Sequence, residues 1–441
     1  MTRSLASWVV AAFAATSLAQ TAKTLSIEDA VTFGLKHSPT LASGQAEVEA
    51  ARAKTRGTRG IEGPQLVFNG FAARSTMPTP FGSAMGVTPS TTVIAPEGRW
   101  LDAGLMLMVP IYTGGALSAM TAAADALEKA AIAGLFEMRA EVALEVRMAY
   151  LEALFAQRQV NTAESRLAAA TAMAENARSL LAAGKGIEAS VRRAEAEQSE
   201  AEADLVSMQA ERKKMVLELL LVMGEKLDAA VALEESPASP LPALTFEQLL
   251  NTAKSSRGEA VRAKQRVRAA QAERRAAEAA LRPQLYGVAM GDIFSPQDGM
   301  GRRSGGALGL ALSLPLFDGG QRRAASQQAQ AMITQAQAEL SVVERRIEVD
   351  LRKAWLDLET AQQMQVSAER GEQSALSAYN TQVVRVESGV GIFVDQLDAL
   401  AALTRARSNS ARATFDVQLA VAKLYRTAGL VGPSATSEVP K

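Results

Sequence analysis

The side chains that most often carry enzyme chemistry are scarce in this chain. It has one histidine, His37, and no cysteine. We interpret His37 as structural, because a lone histidine forms neither a catalytic triad nor a metal cluster, and thiolate metal sites are excluded. The sequence also contains no phosphate-binding loop, no catalytic carboxylate pair and no activated nucleophile. We therefore predict neither an enzyme nor a cofactor or metal site.

Methionine and aspartate are two further groups with a conceivable chemical role. Among 16 methionines, Met106 and Met108 alternate on one face of a predicted strand. Methionine fills irregular gaps well, so packing or lining is the favoured role over metal binding. Asp395 and Asp398 are three residues apart and so share one face of a helix. Their spacing alone favours solvated surface acids.

The elements that would position such side chains occur twice in the chain. Residues 109–115 read Val-Pro-Ile-Tyr-Thr-Gly-Gly, and residues 314–320 read Leu-Pro-Leu-Phe-Asp-Gly-Gly, 205 positions later. The same offset relates the Gly-x-Gly-Ile segments at 184–187 and 389–392. Upstream the offset becomes 219, so a connection of variable length lies in between. A constant offset of this kind indicates an internal duplication.

Each copy of the first motif is placed where a strand gives way to a helix. Proline interrupts the hydrogen-bond ladder of a strand, and a Gly-Gly pair lets the backbone turn sharply. We predict strand hairpins over residues 65–112 and 284–317. The turn residues are Pro110, Gly114 and Gly115 in the first copy and Pro315, Gly319 and Gly320 in the second.

The second hairpin has an unusual alternation of side chains. Leucine occupies every second position from Leu308 to Leu316, and only alanine, glycine or serine lies between from Ala307 to Ser313. A soluble sheet usually has a charged second face, whereas a membrane barrel strand has lipid outside and a narrow or watery lumen inside. Strands of about 10 to 12 residues can cross a bilayer. The alternative is an edge of a buried sandwich in a soluble protein.

Very long helices follow the hairpins. Residues 116–183 contain no proline and much alanine, which predicts a helix of roughly 100 Å. A Gly-x-Gly break separates it from a shorter helix over 187–223, and the second copy repeats this at 321–388 and 392–428. Each hairpin is preceded by one further helix, over 26–59 and 245–281, with Pro39 as a kink or start in the first.

The N-terminus and the charge balance bear on location. Arg3 precedes an apolar run and then the small residues Ser17 and Ala19, which is typical of a secretory signal peptide, although an ordinary buried helix start is the alternative. There are 47 basic and 47 acidic residues, so the net charge gives no reason to expect nucleic acid as a partner. The resulting division is a signal peptide over 1–19, a first repeat over 20–224, a linker over 225–243, a second repeat over 244–429 and a tail over 430–441.

A single copy of this chain supplies too few strands for a barrel. Four strands cannot close, single-chain barrels begin at eight, and an open edge in lipid leaves backbone groups unpaired. We therefore predict a mainly α fold with a transmembrane β-barrel portion, in which a trimer supplies twelve strands. The competing interpretation is an exported soluble coiled-coil adaptor or scaffold protein.

Taken together in this order, the features resemble the outer-membrane efflux proteins, the TolC-like channels, from Leu25 to Gly429. They are the duplication, the paired turns, the Gly-x-Gly-Ile breaks and the segment 393–399. The resemblance implies a homotrimer in the outer membrane of a Gram-negative bacterium, with its barrel in lipid and an α-helical tunnel in the periplasm. It implies a passive exit duct of a tripartite efflux or type I secretion system, whose partners are a periplasmic adaptor (membrane fusion) protein and an inner-membrane pump.

The resemblance also implies roles for particular residues. Asp395 and Asp398 would ring the narrow end of the pore and favour cations. Because the chain has no cysteine, it lacks the lipidated N-terminal cysteine of many such proteins, and the barrel alone would hold it in the membrane. The tips that dock the adaptor would be Gly184, Lys185 and Gly186 in the first copy and Gly389, Val390 and Gly391 in the second.

Overall fold

The computed structural model describes residues 23–76, 79–81, 93–95, 98–235, 244–296 and 303–430. The expected signal peptide over 1–19 lies outside these ranges, as do residues 431–441 of the expected tail and residues 236–243 of the expected linker. Within the described ranges no helix is both long and apolar enough to cross a lipid bilayer.

Helices account for most of the described chain. The two longest have 67 residues each and match one another in the duplication. The helices are α1 (Ile27–His37), α2 (Pro39–Gly60), α3 (Ala116–Ala182), α4 (Glu188–Met223), α5 (Phe246–Ser256), α6 (Gly258–Ala279), α7 (Gln321–Glu387) and α8 (Phe393–Thr427).

The strands form three separate sheets. The largest has four antiparallel strands in the order β2-β5-β7-β8, and the other two pair β1 with β6 and β3 with β4. The strands are β1 (Lys23–Leu25), β2 (Gln65–Ser75), β3 (Thr79–Phe81), β4 (Val93–Ala95), β5 (Gly98–Tyr112), β6 (Val231–Leu233), β7 (Gln284–Pro296) and β8 (Arg303–Ser313).

The chain divides into two compact units, each of which draws on both halves of the duplication. One comprises residues up to Ser38, residues 142–241 and residues 358–422, and it contains the two Gly-x-Gly breaks. The other comprises residues 39–141, 242–357 and 423 onward, and it contains the four-stranded sheet.

The helix expected over 26–59 is interrupted at Ser38. The Ser26 hydroxyl caps α1 by accepting a hydrogen bond from the Asp29 N–H at 3.2 Å. Ser38 is extended, as the residue before a proline tends to be, and Pro39 begins α2, where its missing N–H leaves no helical hydrogen bond unmade.

The single helix expected over 245–281 is likewise two helices, so that prediction was wrong. Thr245 caps α5 in a capping box with Gln248, but the chain is extended at Arg257 before α6 begins. Gly258 fits here because a Cβ would lie 2.5 Å from the Ala133 carbonyl oxygen. The offset of 219 maps Pro39 onto Gly258, so the duplication itself was a signal for this break.

The four-stranded sheet places the alternating leucines on one face. Directly paired residues share a face, and the register pairs Leu66 with Leu107, Leu107 with Ala289, and Ala289 with Leu308. Leu308 is 87 % exposed, and its neighbours on this face, Leu310 and Leu312, are also exposed. The methionines lie on the other face, where Met106 pairs with Met290.

The structure differs from the sequence expectation at both prolines. Pro110 lies inside β5, which ends at Tyr112 as predicted, and it pairs with Tyr286 of β7, although the register of that ladder shifts directly after it, between Pro110 and Tyr112. It is tolerated because β2 pairs only as far as Met108, which leaves the other side of β5 open at this point. In the second copy, β8 ends at Ser313, and residues 314–318, including Pro315, have no regular structure.

Candidate functional site: helix tips, Gly-Gly turns and a partly buried ion cluster

The long helix α3 ends in a left-handed glycine. Gly184 has φ +66°, and the next N–H, of Lys185, donates a hydrogen bond back to the Leu180 carbonyl at 2.9 Å. This closes the last turn of the helix in the way a Schellman motif does. Gly389 repeats the geometry at the end of α7 with φ +75°. The two breaks are therefore built alike.

The second glycine of each break is required for a different reason. A Cβ on Gly186 would lie 2.8 Å from the Leu181 nitrogen, and a Cβ on Gly391 would lie 2.7 Å from the Val386 nitrogen. Real Cβ atoms do not approach backbone so closely. The Gly-x-Gly pattern thus combines one conformational and one steric requirement.

Both breaks expose apolar side chains. Ile187 is 66 % exposed beside the exposed Lys185, while Val390 and Ile392 are 73 % and 64 % exposed. Adjacent exposed apolar side chains of this kind are typical of a surface that another protein covers. We name these four residues the tip residues.

The beginning of α8 packs between the end of α3 and the beginning of α4. Phe393 contacts a small core of Ala174, Ala177, Val191 and Ala194. Because these side chains are small, the helices approach closely. The two tips therefore form one structural region.

Asp395 and Asp398 lie just after this contact, on α8. Phe393, Gln396 and Leu400 form the packed face of the helix, and the two aspartates lie on the opposite side of it. Asp398 is exposed and Asp395 half-buried. Neither carboxylate has a hydrogen-bond or ion-pair partner among the described residues.

The first Gly-Gly turn is held against α6. Gly114 and Gly115 have φ +64° and +91°. A Cβ on Gly114 would lie 2.7 Å from the Cβ of Arg282 and 2.9 Å from the Ala279 carbonyl oxygen. Arg282 also donates a hydrogen bond from Nη1 to the Gly114 carbonyl at 3.0 Å. Conformation and close approach both require glycine at 114.

The second Gly-Gly turn has the same backbone but a different support. Gly319 and Gly320 have φ +65° and +89°, with nothing within 4 Å of a Cβ at either. Asp318 holds the turn, accepting hydrogen bonds from the N–H groups of Gly320 at 3.0 Å and Arg322 at 3.1 Å. These bonds, the one from Arg322 first, lower the pKa of Asp318.

A partly buried ion cluster, which no sequence pattern indicated, lies where α3, α6 and α8 meet. Arg426 donates a hydrogen bond to Glu141 at 2.8 Å and lies 3.9 Å from both Glu137 and Glu259. Arg262 forms an ion pair with Glu137 at 3.1 Å. Charged residues 120 to 290 positions apart carry no periodic pattern, so sequence reasoning had no means of grouping them.

The two glutamates of this cluster have pKa values shifted in opposite directions. Burial, together with its hydrogen bond to Glu259, raises the pKa of Glu137 to about 7. Burial opposes the charge on Glu259 as well, but the Glu137 hydrogen bond and the nearby Arg257 outweigh it and lower the pKa of Glu259. Arg257 itself is buried and forms ion pairs with Glu259 and Asp350.

The match to a known protein family covers both halves of the internal duplication. A family model described as outer membrane efflux protein matches residues 34–225 and 249–430. The chain belongs to the outer membrane efflux protein family. Comparison with curated protein sequences gave no match.

Solved structures support the fold of this outer membrane efflux protein. The outer membrane protein VceC of Vibrio cholerae is 21 % identical, with a TM-score of 0.75 over 91 % of this chain and 96 % of that one. CusC is 19 % identical, with a TM-score of 0.75 over 92 % of each chain. The MtrE outer membrane channel of Neisseria gonorrhoeae, in its open state, is 18 % identical, with a TM-score of 0.72 over 92 % and 89 %.

Family membership decides between the two interpretations of the sequence. An outer membrane efflux protein is a channel of the Gram-negative outer membrane with a periplasmic portion. The alternative of a soluble exported adaptor or scaffold is not supported. The family consists of channel proteins rather than enzymes, as the scarcity of catalytic side chains led us to expect.

Proposed function

We propose that this outer membrane efflux protein is the homotrimeric exit duct of a tripartite efflux or type I secretion system. It would conduct passively what an inner-membrane pump delivers through a periplasmic adaptor. The observation that carries the proposal is the four-stranded sheet, which exposes an apolar face and has two unpaired edge strands. Membership of the family supports it.

The two edge strands argue for a trimer. β2 and β8 each have one side without a partner strand among the described residues. In lipid such backbone groups have no water to bind, and each unpaired group costs several kcal/mol. Pairing β8 of one copy with β2 of the next, three times around, closes a barrel of twelve strands with no edge.

The side chains on the two faces of the sheet indicate which face meets lipid. The leucine face, with Leu308, Leu310 and Leu312, suits the bilayer. The opposite face presents Ala307 and Gly309, together with the methionines, and suits a lumen.

The tip residues are the proposed docking surface for the adaptor. Ile187, Val390 and Ile392 offer exposed apolar contact, and Lys185 adds one positive charge. The glycines of the two breaks fix the backbone from which these side chains extend. An adaptor whose own tip is apolar and carries an acidic group would fit this surface.

Asp395 and Asp398 are the proposed selectivity ring. Both are on the unpacked face of α8 and have no partner in the described part of the chain. In a trimer they would bring six carboxylates to the pore, which attracts cations and slows anions.

The proposal is tested by comparing a lipid-face with a lumen-face substitution of the mature protein. Leu308→Arg places a charge against the bilayer, at a cost of about 2 to 4 kcal/mol near the midplane, and is expected to reduce insertion strongly. Ala307→Arg is the matched control, expected to insert normally and to lower single-channel conductance. The parent is expected to be a trimer in detergent and to form channels in planar bilayers.

Two results would contradict this function. One is a mature protein that stays monomeric and dissolved without detergent. The other is equal insertion of the two arginine variants, which would mean that the leucine face does not meet lipid.

A further inference from the structure

The exposed surface of this protein changes where the strands of the four-stranded sheet lead into the helices. The leucine face is followed there by two exposed aromatic side chains, Tyr112 before α3 at 51 % and Phe317 before α7 at 91 %. Tyr112 lies on the leucine face, because it pairs with Leu285, which pairs with Leu312. Aromatic side chains at the edge of an apolar band are typical of the boundary between hydrocarbon and headgroups.

Positive charge accumulates immediately beyond the aromatic residues. The whole chain has equal numbers of basic and acidic residues, but the four segments that adjoin the sheet do not. Together they contain nine Arg or Lys and five Asp or Glu. The segments are 52–64, 113–126, 272–283 and 317–330.

Hydrogen bonds and ion pairs hold these segments at one level of the structure. Arg59 of α2 forms an ion pair with Asp125 of α3 at 2.8 Å. Arg282, after α6, binds the Gly114 carbonyl before α3. Arg274 of α6 donates a hydrogen bond to Gln330 of α7. The segments therefore form one collar beneath the sheet.

Several cations of the collar have no anionic partner. Arg56, Arg275 and Arg323 come from three different segments. All three are exposed, and none forms an ion pair within the described residues. A structural role in holding helices together would have paired them with an acidic residue, as Arg59 is paired with Asp125.

We infer that this collar binds the phosphate groups of anionic phospholipids in the adjacent leaflet of the membrane. The inference rests on the proposed function, which places the leucine face in lipid. With the apolar face in hydrocarbon and the aromatic residues at the boundary, the arginines lie at headgroup depth. Arginine binds phosphate with a planar fork of donors, and basic residues near an anionic surface contribute about 1 kcal/mol each.

The test measures binding of fluorescently labelled phosphatidylglycerol to the detergent-solubilised full-length protein by anisotropy, in micelles of a neutral detergent. The variant R56Q/R275Q/R323Q is expected to bind at least ~10-fold more weakly than the parent. The matched control R193Q/K213Q/R370Q removes three exposed cations that form no ion pair within the described residues and lie far along the chain from the four-stranded sheet, and it is expected to bind like the parent. A charge-retaining variant, R56K/R275K/R323K, is expected to keep most of the affinity.

Added salt and competing lipids test whether the binding is electrostatic and specific for an anionic phospholipid. Binding is expected to weaken at high ionic strength, because exposed charges are screened. Unlabelled phosphatidylglycerol is expected to displace the label, and phosphatidylcholine is not. Displacement by inorganic phosphate as effective as by the lipid would overturn the inference, as would undiminished binding by the glutamine variant or an equal loss in the control.

Channel recordings separate this inference from the proposed function. A protein that forms channels in bilayers of phosphatidylcholine but binds phosphatidylglycerol no more tightly than phosphatidylcholine supports the proposed function and contradicts the inference about the collar. A protein that forms no channels in either bilayer contradicts the function itself.

Discussion

The hydroxyl group of Tyr150 lies 2.7 Å from the backbone carbonyl oxygen of Glu234 and 2.8 Å from that of Leu25. Tyr150 is fully buried on α3; Leu25 is the last residue of β1, and Glu234 directly follows β6, the strand with which β1 pairs. The hydroxyl can donate to only one of them at a time. Burial raises the pKa of Tyr150 to about 12, so this donor keeps its proton at neutral pH.

The first prediction concerns this hydroxyl. Tyr150→Phe keeps the ring packed but removes the hydroxyl donor, while the Leu25 carbonyl keeps its hydrogen bond from the Glu234 N–H. The free energy of unfolding should fall by about 0.5 to 1.5 kcal/mol, the net value of one hydrogen bond. Chemical denaturation followed by circular dichroism measures it. Tyr379→Phe is the control, since its hydroxyl has no hydrogen-bond partner among the described residues and little should change. Equal effects of the two variants would show that the hydrogen bond does not matter.

The second prediction concerns pH and the half-buried Glu137. Folding raises its pKa from the ordinary 4.5 to about 7, so the folded protein holds this proton more tightly than the unfolded chain. Its stabilising contribution is complete below pH 4.5 and is lost as the pH rises through 7. The lowered pKa of Glu259 acts only at pH values below its ordinary one, outside this window.

Glu137→Gln mimics the protonated carboxyl and should flatten this part of the profile. Between about pH 5 and pH 8 the melting temperature of the variant should fall less than that of the parent. Glu145→Gln removes an exposed carboxylate of the same helix and should leave the slope as it is. A parent protein whose melting temperature rises across this window would contradict the assignment.

Much of the fold followed from the sequence because the duplication and the side-chain periodicity are local patterns. The leucine alternation at 308–312 and the glycine breaks at 184 and 389 needed only neighbouring residues. The end of β8 at Ser313 and the pairing of Pro110 did not follow, since they depend on where a partner strand stops. The break at Arg257 was not predicted, because the sequence there has no proline.

The candidate site was less accessible from the sequence than the fold. Asp395 and Asp398 could be placed on one helix face, but their lack of partners required coordinates. The cluster around Glu137 joins three helices distant in sequence, and no motif marks it. Tertiary contacts of this kind are set by how helices meet, which side-chain types alone do not determine.

The third prediction concerns the second glycine of each break. Gly391→Ala places a Cβ 2.7 Å from the Val386 backbone, so the chain must shift at the tip. We expect a loss of about 1 to 3 kcal/mol in local stability, seen as faster hydrogen exchange at the tip, together with weaker crosslinking to an adaptor. Gly371→Ala in α7 is the control: it has open space around its Cβ and should be neutral or slightly stabilising.

The fourth prediction separates conformation from close approach at the Gly-Gly turns. Gly114 and Gly319 have nearly the same φ, +64° and +65°, so alanine costs the same left-handed strain of roughly 1 to 2 kcal/mol at both. Only at Gly114 does the new Cβ also meet Arg282 and a backbone carbonyl. Gly114→Ala should therefore destabilise the protein more than Gly319→Ala, as thermal unfolding in detergent will measure. The reverse order would show that the contact with Arg282 is easily relieved.

The last prediction concerns ion selectivity and depends on the proposed ring. Replacing Asp395 and Asp398 together by Asn removes six negative charges per trimer while keeping side-chain size. The reversal potential in a salt gradient should shift toward that of an unselective pore, because the carboxylates no longer attract cations. Glu164→Gln with Glu369→Gln removes the same charge from exposed positions on α3 and α7 and should leave the reversal potential near that of the parent. If the control shifts it as much as the aspartate variant, selectivity arises from the overall charge of the helices, and Asp395 and Asp398 have no special role.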